Sequence, residues 1–535
     1  MTTTEDTTVP SEERRPETSP GSVRTQIQHI AGRPLQALLA VTILISVVRR
    51  FMIASPLWLD EALSVNIAQL PLKDLTSALR HDGHPPLYYV LLHGWMKIFG
   101  DQDGAVRALS GVISLSTIPL AWLVGRRVGG WRTAWILALV VAISPYSFRY
   151  GSETRMYSLV IALVFVLYLL LAQALEKSNK FSLAGLMVVT AALLWTHYWS
   201  LWLLIGTGCL LLGKFIGAHR RGDRAARNHA GEIILAMGLG ALSFLPWLPT
   251  MLYQAQHTGT PWGPSFRPAT LIMMSLNDFH GGPFSEAQLG MVFSVILIFL
   301  GIFSRQRAGS GEEVAIRFSP AVQARWPLAL LLATTSIATA VGIVNKMAFH
   351  PRYAAVYFPF VVILIALGLN SLPRGRLQQA ALALFAVFAL VGSFFVERQT
   401  RTQSDEVAQN IRDSSPAGLV ILCPDQLGPA VSRELDDPSY ELLTYPRFEA
   451  PERVDWVDYK ERNLASDPVQ FATEALKRAG SRPIFVVNAD NYLTLEGKCQ
   501  RVIETLAATR APQTLHEPDS KAYYEPMRTI LFAAP

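Results

Sequence analysis

Trp58-Leu59-Asp60-Glu61-Ala62 puts two carboxylates side by side, and His81-Asp82-Gly83-His84-Pro85-Pro86-Leu87-Tyr88-Tyr89 follows about 23 residues later. Arg149-Tyr150-Gly151-Ser152-Glu153-Thr154-Arg155-Met156-Tyr157, Thr196-His197-Tyr198-Trp199, Asn277-Asp278-Phe279-His280 and His350-Pro351-Arg352-Tyr353 repeat the same mixture of acids, imidazoles, guanidinium groups and phenols. Paired carboxylates suit proton abstraction, or one base and one metal ligand. Arginines hold phosphate through planar, bidentate hydrogen bonds. A histidine beside a carboxylate can bind a divalent cation, which would neutralise a departing phosphate.

Apolar runs separate these stretches and must position them. Of the 535 residues 50% are hydrophobic and 16% charged, against about 25% charged in soluble domains. A bilayer core needs about 20 apolar residues of helix. Eleven candidate spans follow: Pro34–Ile53, Ala105–Gly125, Thr133–Ser147, Met156–Leu175, Phe181–Thr196, Trp199–Gly213, Glu232–Leu252, Gln288–Ser304, Trp326–Val344, Tyr353–Leu372 and Gln378–Val396. With the N-terminus inside, the inner segments carry twenty Lys and Arg and the outer loops up to Arg352 carry eight. That asymmetry predicts N-inside and C-outside. Met1–Arg33 is rich in Thr, Ser, Pro, Glu and Arg and reads as a disordered cytoplasmic tail, not a cleaved signal. The net charge of +6 is mild for this length and does not suggest nucleic-acid binding.

On this topology every chemistry-bearing stretch falls on the outer side. Singly, each has an ordinary reading. Asp60 and Glu61 suit a helix N-terminus, arginines snorkel to headgroups, and Tyr and Trp form interfacial belts. Jointly the ordinary reading weakens, because snorkelling arginines should favour the inner face. Leu87–Phe99 is too short to span and reads as an interfacial helix. A site of this composition opening into lipid fits a lipid-phosphate sugar. A base would deprotonate an acceptor hydroxyl, the hydroxyl would attack the anomeric carbon, and cations would stabilise the leaving phosphate.

The Trp58–Ala62 segment after the first span, the His84-Pro85-Pro86-Leu87-Tyr88-Tyr89 box, Arg107 at the entry to the second span, and Glu153-Thr154-Arg155-Met156-Tyr157 together resemble the polyprenyl-phosphate-dependent glycosyltransferases of the GT-C fold. The nearest branch is the dolichyl-phosphate-mannose protein mannosyltransferase and aminoarabinose-transferase group. The resemblance implies an α-helical polytopic membrane fold and inverting sugar transfer on the outer face of the cytoplasmic membrane. It implies Asp60 as base, with Glu61 as the second carboxylate. A divalent metal, Mg or Mn, would use Glu153 with His197 or His350. Arg50, Arg155 and Arg352 are the candidates for the donor phosphate, and His84, Tyr157 and Tyr353 for substrate contacts. The expected partners are a polyprenyl-phosphate sugar, with mannose or arabinose favoured, and a cell-envelope glycan, glycolipid or protein acceptor.

After Val396 the pattern changes. Short β-like runs at Leu419–Cys423, Leu442–Tyr445, Pro483–Val487 and Thr529–Phe532, with a helical pattern at Pro468–Ala479, predict a small extracytoplasmic α/β domain over residues 397–535. Cys423 and Cys499 lie in it, either bridged or as two free thiols; Cys209 reads as a packing residue within a span. Two other readings stand beside the enzyme. A multi-span transporter would place charges and broken helices near the midplane, often with an internal repeat; here the charges gather at one rim and no repeat is visible. A cell-envelope scaffold would be indifferent to Asp60→Asn.

Overall fold

The structure is a computed structural model that describes Thr2 and residues 41–258, 267–282, 285–306, 314–345, 348–489 and 497–534. The expected N-terminal tail and the first residues of the Pro34–Ile53 span lie outside the described residues. Contacts divide the chain into Met1–Ile45, of which residues 41–45 are helical, and Ser46–Pro535. All the elements below belong to the second unit.

Five of its described helices are long and apolar enough to cross a bilayer: Asp103–Ile143, Tyr157–Glu176, Ser200–Arg220, Val322–Val344 and Arg376–Arg398. Arg224–Leu242 and Leu245–His257, bent by 40°, form a sixth if taken as one span. Lys180–Thr196, Gln288–Phe303 and Phe358–Ser371 are shorter apolar helices. Asp103–Ile143 is two helices joined at Gly130, where φ is +80° and ψ −168°, a backbone open essentially to glycine. A Cβ on Gly125 would lie 2.7 Å from the Cα of Ala134, so the second half folds back on the first. The expected spans Ala105–Gly125 and Thr133–Ser147 are these two halves. Val188, Leu235 and Val344 stay exposed on their helices while Arg50, Arg149 and Arg155 are buried. That inversion is what lipid surroundings favour.

Leu59–Ala68, Leu72–Asp82 and Leu87–Phe99 are three short helices in the first long loop. Pro145–Gly151, also short, is wholly buried and starts at Pro145 with the Ser144 side chain capping it. The loops Gly151–Met156, His197–Trp199 and His350–Tyr357 close round the same region.

Residues 404–532 build a five-stranded sheet in the order β4-β3-β5-β7-β6. The strands are β3 (Gly418–Cys423), β4 (Tyr440–Thr444), β5 (Ile484–Asn488), β6 (Pro512–His516) and β7 (Arg528–Phe532); β1 (Ser304–Gln306) and β2 (Val314–Ile316) form a separate antiparallel pair. β3 runs parallel to β4 and β5, while β7 is antiparallel to β5 and to β6. Helices cover both faces. Leu419 and Ile421 pack with Phe471 and Val502 on one face, Val420 and Leu422 with Val407 and Val431 on the other. Burial on both sides explains the unbroken apolar runs of β3 and β5. The edge strand β6 carries no such run and escapes a reading by pattern. A disulfide joins Cys423 to Cys499, tying the end of β3 to the Lys498–Ala507 helix.

This sheet domain rests on the first long loop. Val454 and Tyr459 pack against Trp58 and Leu59. The backbone N–H of Trp456 donates to His81 O at 3.0 Å, and that of Asp458 to His257 O at 2.7 Å. Arg433 pairs with Asp103 at 3.0 Å.

Candidate functional site

Asp60 and Glu61 stand in the first turn of the Leu59–Ala68 helix. Successive helical residues project about 100° apart, so the two carboxylates face different partners. Asp60 Oδ2 accepts from Arg352 Nη1 and lies 3.9 Å from Arg155 Nη2. Glu61 turns inward. Arg107 grips it bidentately, Nε to Oε1 at 2.9 Å and Nη2 to Oε2 at 2.7 Å. Arg401 Nη1 adds a bond to Oε2 at 3.2 Å, and the Thr154 N–H one to Oε1 at 3.0 Å. Burial alone would raise the Glu61 carboxyl, but Arg107 and Arg401 hold it down at about 2. Its side chain is 0% exposed, that of Asp60 15%. Glu61 therefore anchors four segments to one another and leaves Asp60 to face the opening.

Arg155 reaches Asp60 within a chain of hydrogen bonds. Its Nη1 donates to Ser64 Oγ at 2.9 Å, one helical turn beyond Asp60, and its Nη2 lies 3.1 Å from His84 Nε2. A guanidinium can only donate, so His84 Nε2 accepts and Nδ1 carries the proton. Nδ1 then donates to Asp82 Oδ2 at 2.9 Å, which also accepts from Tyr89 OH at 2.7 Å. Burial pushes the Asp82 carboxyl up, and His84, Arg155 and Tyr89 outweigh it to leave it below its ordinary value. Arg352 is held from the other side. Its Nε donates to His350 Nδ1 at 3.0 Å, and its guanidinium lies 5.5 Å from the Trp58 ring centroid.

Aromatic rings wall the site. Tyr157 and Tyr353 each lie 5.7 Å from the His197 ring, and His84 lies 6.3 Å from it. Trp199 stacks on Tyr353 at 5.2 Å, and its backbone N–H donates to His197 Nδ1 at 3.1 Å. The sheet domain also reaches in. Tyr524 stacks on Trp58 at 3.7 Å and donates to Glu153 Oε1 at 2.9 Å, while Glu525 Oε1 accepts from the Leu59 N–H at 3.2 Å. Burial raises the Glu153 carboxyl; Arg401, Arg149 and the Tyr524 bond only partly offset this.

The structure thus gathers Asp60, Arg155, Arg352, His84, His197, Tyr157 and Tyr353. It sets Arg50 apart, buried among helices with bonds to Ser114 Oγ at 2.7 Å and Ala142 O at 2.8 Å. It does not join Glu153, His197 and His350 into a metal set. Glu153 is bonded by Tyr524, His350 by Arg352, and His197 lies among rings. Among the described residues no group of three or more His, Cys, Asp or Glu could hold a metal ion. Arg401, Tyr524 and Glu525 are contributors that sequence reasoning missed. They lie 340 or more residues from Asp60 and Glu61, in segments without periodic pattern.

Residues 83–248 match the family of dolichyl-phosphate-mannose-protein mannosyltransferases, and this segment carries His84, Glu153, Arg155, Tyr157 and His197. No curated protein matches the sequence. Two solved structures of ArnT from Cupriavidus metallidurans resemble the chain over 94% of its length at 12% identity. The one bound to undecaprenyl phosphate has a TM-score of 0.56 and is covered over 99%; the apo one has 0.57 and is covered over 100%. The chain has the GT-C fold. It is a multi-pass membrane protein with the architecture and family segment of a glycosyltransferase. The mycobacterial arabinofuranosyltransferase AftD resembles this GT-C chain at 14% identity and a TM-score of 0.49, over 94% of this chain and 42% of that longer one.

Proposed function

We propose that the protein transfers a sugar from a polyprenyl-phosphate donor to a cell-envelope glycan, glycolipid or protein on the outer face of the cytoplasmic membrane, with Asp60 as base. One observation carries the reading: in a cluster of buried acids, Asp60 is the open carboxylate, and Arg352 and Arg155 converge on it. The ArnT structure bound to undecaprenyl phosphate and the mannosyltransferase segment support the donor class. Mannose and arabinose are the sugars to test first. The excess of Lys and Arg on the face away from Asp60 supports a cytoplasmic N-terminus.

In the mechanism, Arg352 and Arg155 take the donor phosphate. Binding the phosphate draws Arg352 from Asp60 Oδ2 and frees that oxygen to accept a proton. The acceptor hydroxyl gives its proton to Asp60 as its oxygen bonds to the anomeric carbon. The bond from that carbon to the phosphate oxygen breaks, and both electrons leave with the lipid phosphate, whose charge the two guanidinium groups hold. Displacement from the opposite face inverts the anomeric centre. His84 and His350 orient the arginines, and Glu61 fixes the helix that carries Asp60. Tyr157, Tyr353 and Trp199 offer faces on which a sugar ring can stack.

The test is transfer by the purified protein in nanodiscs, with polyprenyl-phosphate mannose and polyprenyl-phosphate arabinose in parallel and an envelope extract as acceptor. Transfer from one donor that falls by 100-fold or more in Asp60→Asn, about the contribution of a positioned base, would support the reading. Undiminished transfer by a folded Asp60→Asn protein would remove Asp60 as the base.

A further inference from the structure

At the end of the helical bundle remote from Asp60, a cavity of about 550 Å³ opens between the Ser200–Arg220 and Arg224–Leu242 helices. Trp199 stacks on Tyr353 in the site, and the 21-residue helix that follows runs about 30 Å at 1.5 Å per residue. The cavity, lined by Gly213 to Arg221 at the far end of that helix, is thus separated from the site by most of a bilayer's thickness.

Its shape follows from small residues at helical spacing. Gly213, Gly217 and Ala218 on one helix face Ala226 and Ala230 on the other, leaving a trough with Leu175, Leu210 and Ile233 as its apolar end. Lys214, Arg221 and His229 line its polar part, and no Asp or Glu does. Each nearby acid has a partner of its own, Asp223 at the trough wall itself. Asp223 caps Ala226 N at 2.9 Å, Glu232 accepts from Ser178 Oγ at 2.8 Å, and Glu176 pairs with Arg127 at 2.7 Å. Lys214 lines the trough, and its ammonium lies 5.3 Å from the centroid of the Trp326 ring on the neighbouring Val322–Val344 helix.

We propose that this cavity binds the phosphate-bearing headgroup of an anionic phospholipid, in the leaflet opposite the catalytic site. Apolar walls continuous with the lipid-facing helices accept the glycerol and the first acyl carbons. Lys214 and Arg221 hold the phosphate, while His229 Nε2 donates to the Ala174 carbonyl at 2.5 Å and shapes the wall. The volume lies within the range of small-ligand sites. A soluble phosphoester would share the charge chemistry and would leave the apolar end unfilled.

The experiment is native mass spectrometry of the full-length protein released from nanodiscs of phosphatidylglycerol, phosphatidylethanolamine or their mixture. Two variants act by different routes. Lys214→Ala with Arg221→Ala removes the charge. Gly213→Leu fills the trough at a position where an added Cβ meets nothing within 4 Å. The wild type should retain phosphatidylglycerol over phosphatidylethanolamine. The double variant should bind it about 25-fold more weakly, from about five-fold per cation, and Gly213→Leu should lose it with both charges intact. Equal retention of the two lipids, or wild-type retention by both folded variants, would overturn the proposal. Displacement of the lipid by millimolar glycerol phosphate would overturn the lipid assignment in favour of a soluble phosphoester. Sugar transfer is not the readout, so failure here is distinguishable from failure of the proposed activity.

Discussion

Glu61→Gln separates the two adjacent carboxylates most sharply. The substitution keeps the shape and removes the charge that Arg107 and Arg401 share. A carboxyl held at about 2 against an ordinary 4.5 stabilises the fold by about 3 kcal/mol, at about 1.4 kcal/mol per pH unit. Removing one partner of a buried ion pair costs a similar 3–5 kcal/mol, because the remaining charges stay buried without a counterion. Two independent routes therefore agree on about 3 kcal/mol. At about 2.1 cal/mol/K of unfolding entropy per residue, 535 residues give about 1 °C per kcal/mol, so the melting temperature in detergent should fall by roughly 3 °C. The sign with pH follows from the direction. The folded carboxyl titrates below the unfolded one, so its stabilisation is complete above about pH 4.5 and is lost as the pH falls toward 2. The wild type should lose its advantage over Glu61→Gln across that acid window. Asp60→Asn, at a carboxylate that is 15% exposed and not gripped bidentately, should cost less stability than Glu61→Gln while losing transfer. A Glu61→Gln protein that melts with the wild type at neutral pH would refute the assignment of Glu61 as the anchor.

Three further outcomes follow from the sheet domain. Tyr524→Phe deletes the donor to Glu153, a hydrogen bond worth about 0.5–1.5 kcal/mol, and should lower transfer more than it lowers the melting temperature; unchanged transfer would confine Tyr524 to packing. Cys423→Ser with Cys499→Ser opens a link across 76 residues, which loop entropy values at about 4 kcal/mol. Limited proteolysis should then cut within residues 404–532 far faster than in the wild type, and equal rates would count against a stabilising bridge. Asp425 is buried against Tyr459, and burial pushes its carboxyl up to about 7. The folded state keeps a proton that the unfolded chain releases above about 3.8, so stability falls as pH rises from there to about 7, by about 4 kcal/mol. Asp425→Asn should abolish that slope in melts at pH 5 and pH 8; a slope unchanged in the variant would show that another group causes it.

Much was legible from local pattern. Apolar runs marked the helices, and the four apolar strands β3, β4, β5 and β7 lie at or within two residues of where their runs placed them. Asp60, His84, Arg155, Arg352, Tyr157 and Tyr353 stood out because charged and phenolic groups beside apolar runs are expensive unless gathered and satisfied. The order of these residues along the chain already spread them over several separate loops between apolar runs.

What local pattern could not decide was the facing of side chains and the partners that arrive from far along the chain. Asp60 and Glu61 are equivalent as letters, and only the 100° step of a helix wedged between two arginines makes one open and the other an anchor. Arg50 looked like the other outer arginines, yet its helix turns it inward to the carbonyls of a neighbour. The histidines proposed for a metal were placed by loops whose closure no spacing encodes, and closure gave them arginine and aromatic neighbours instead. Arg401, Tyr524 and Glu525 reach the site only because the sheet domain folds back over the first loop. Composition and period are local properties and act within a few residues, so they specify elements. Ion-pair geometry depends on which elements end up within about 4 Å of one another, and that is set by the packing of the whole chain.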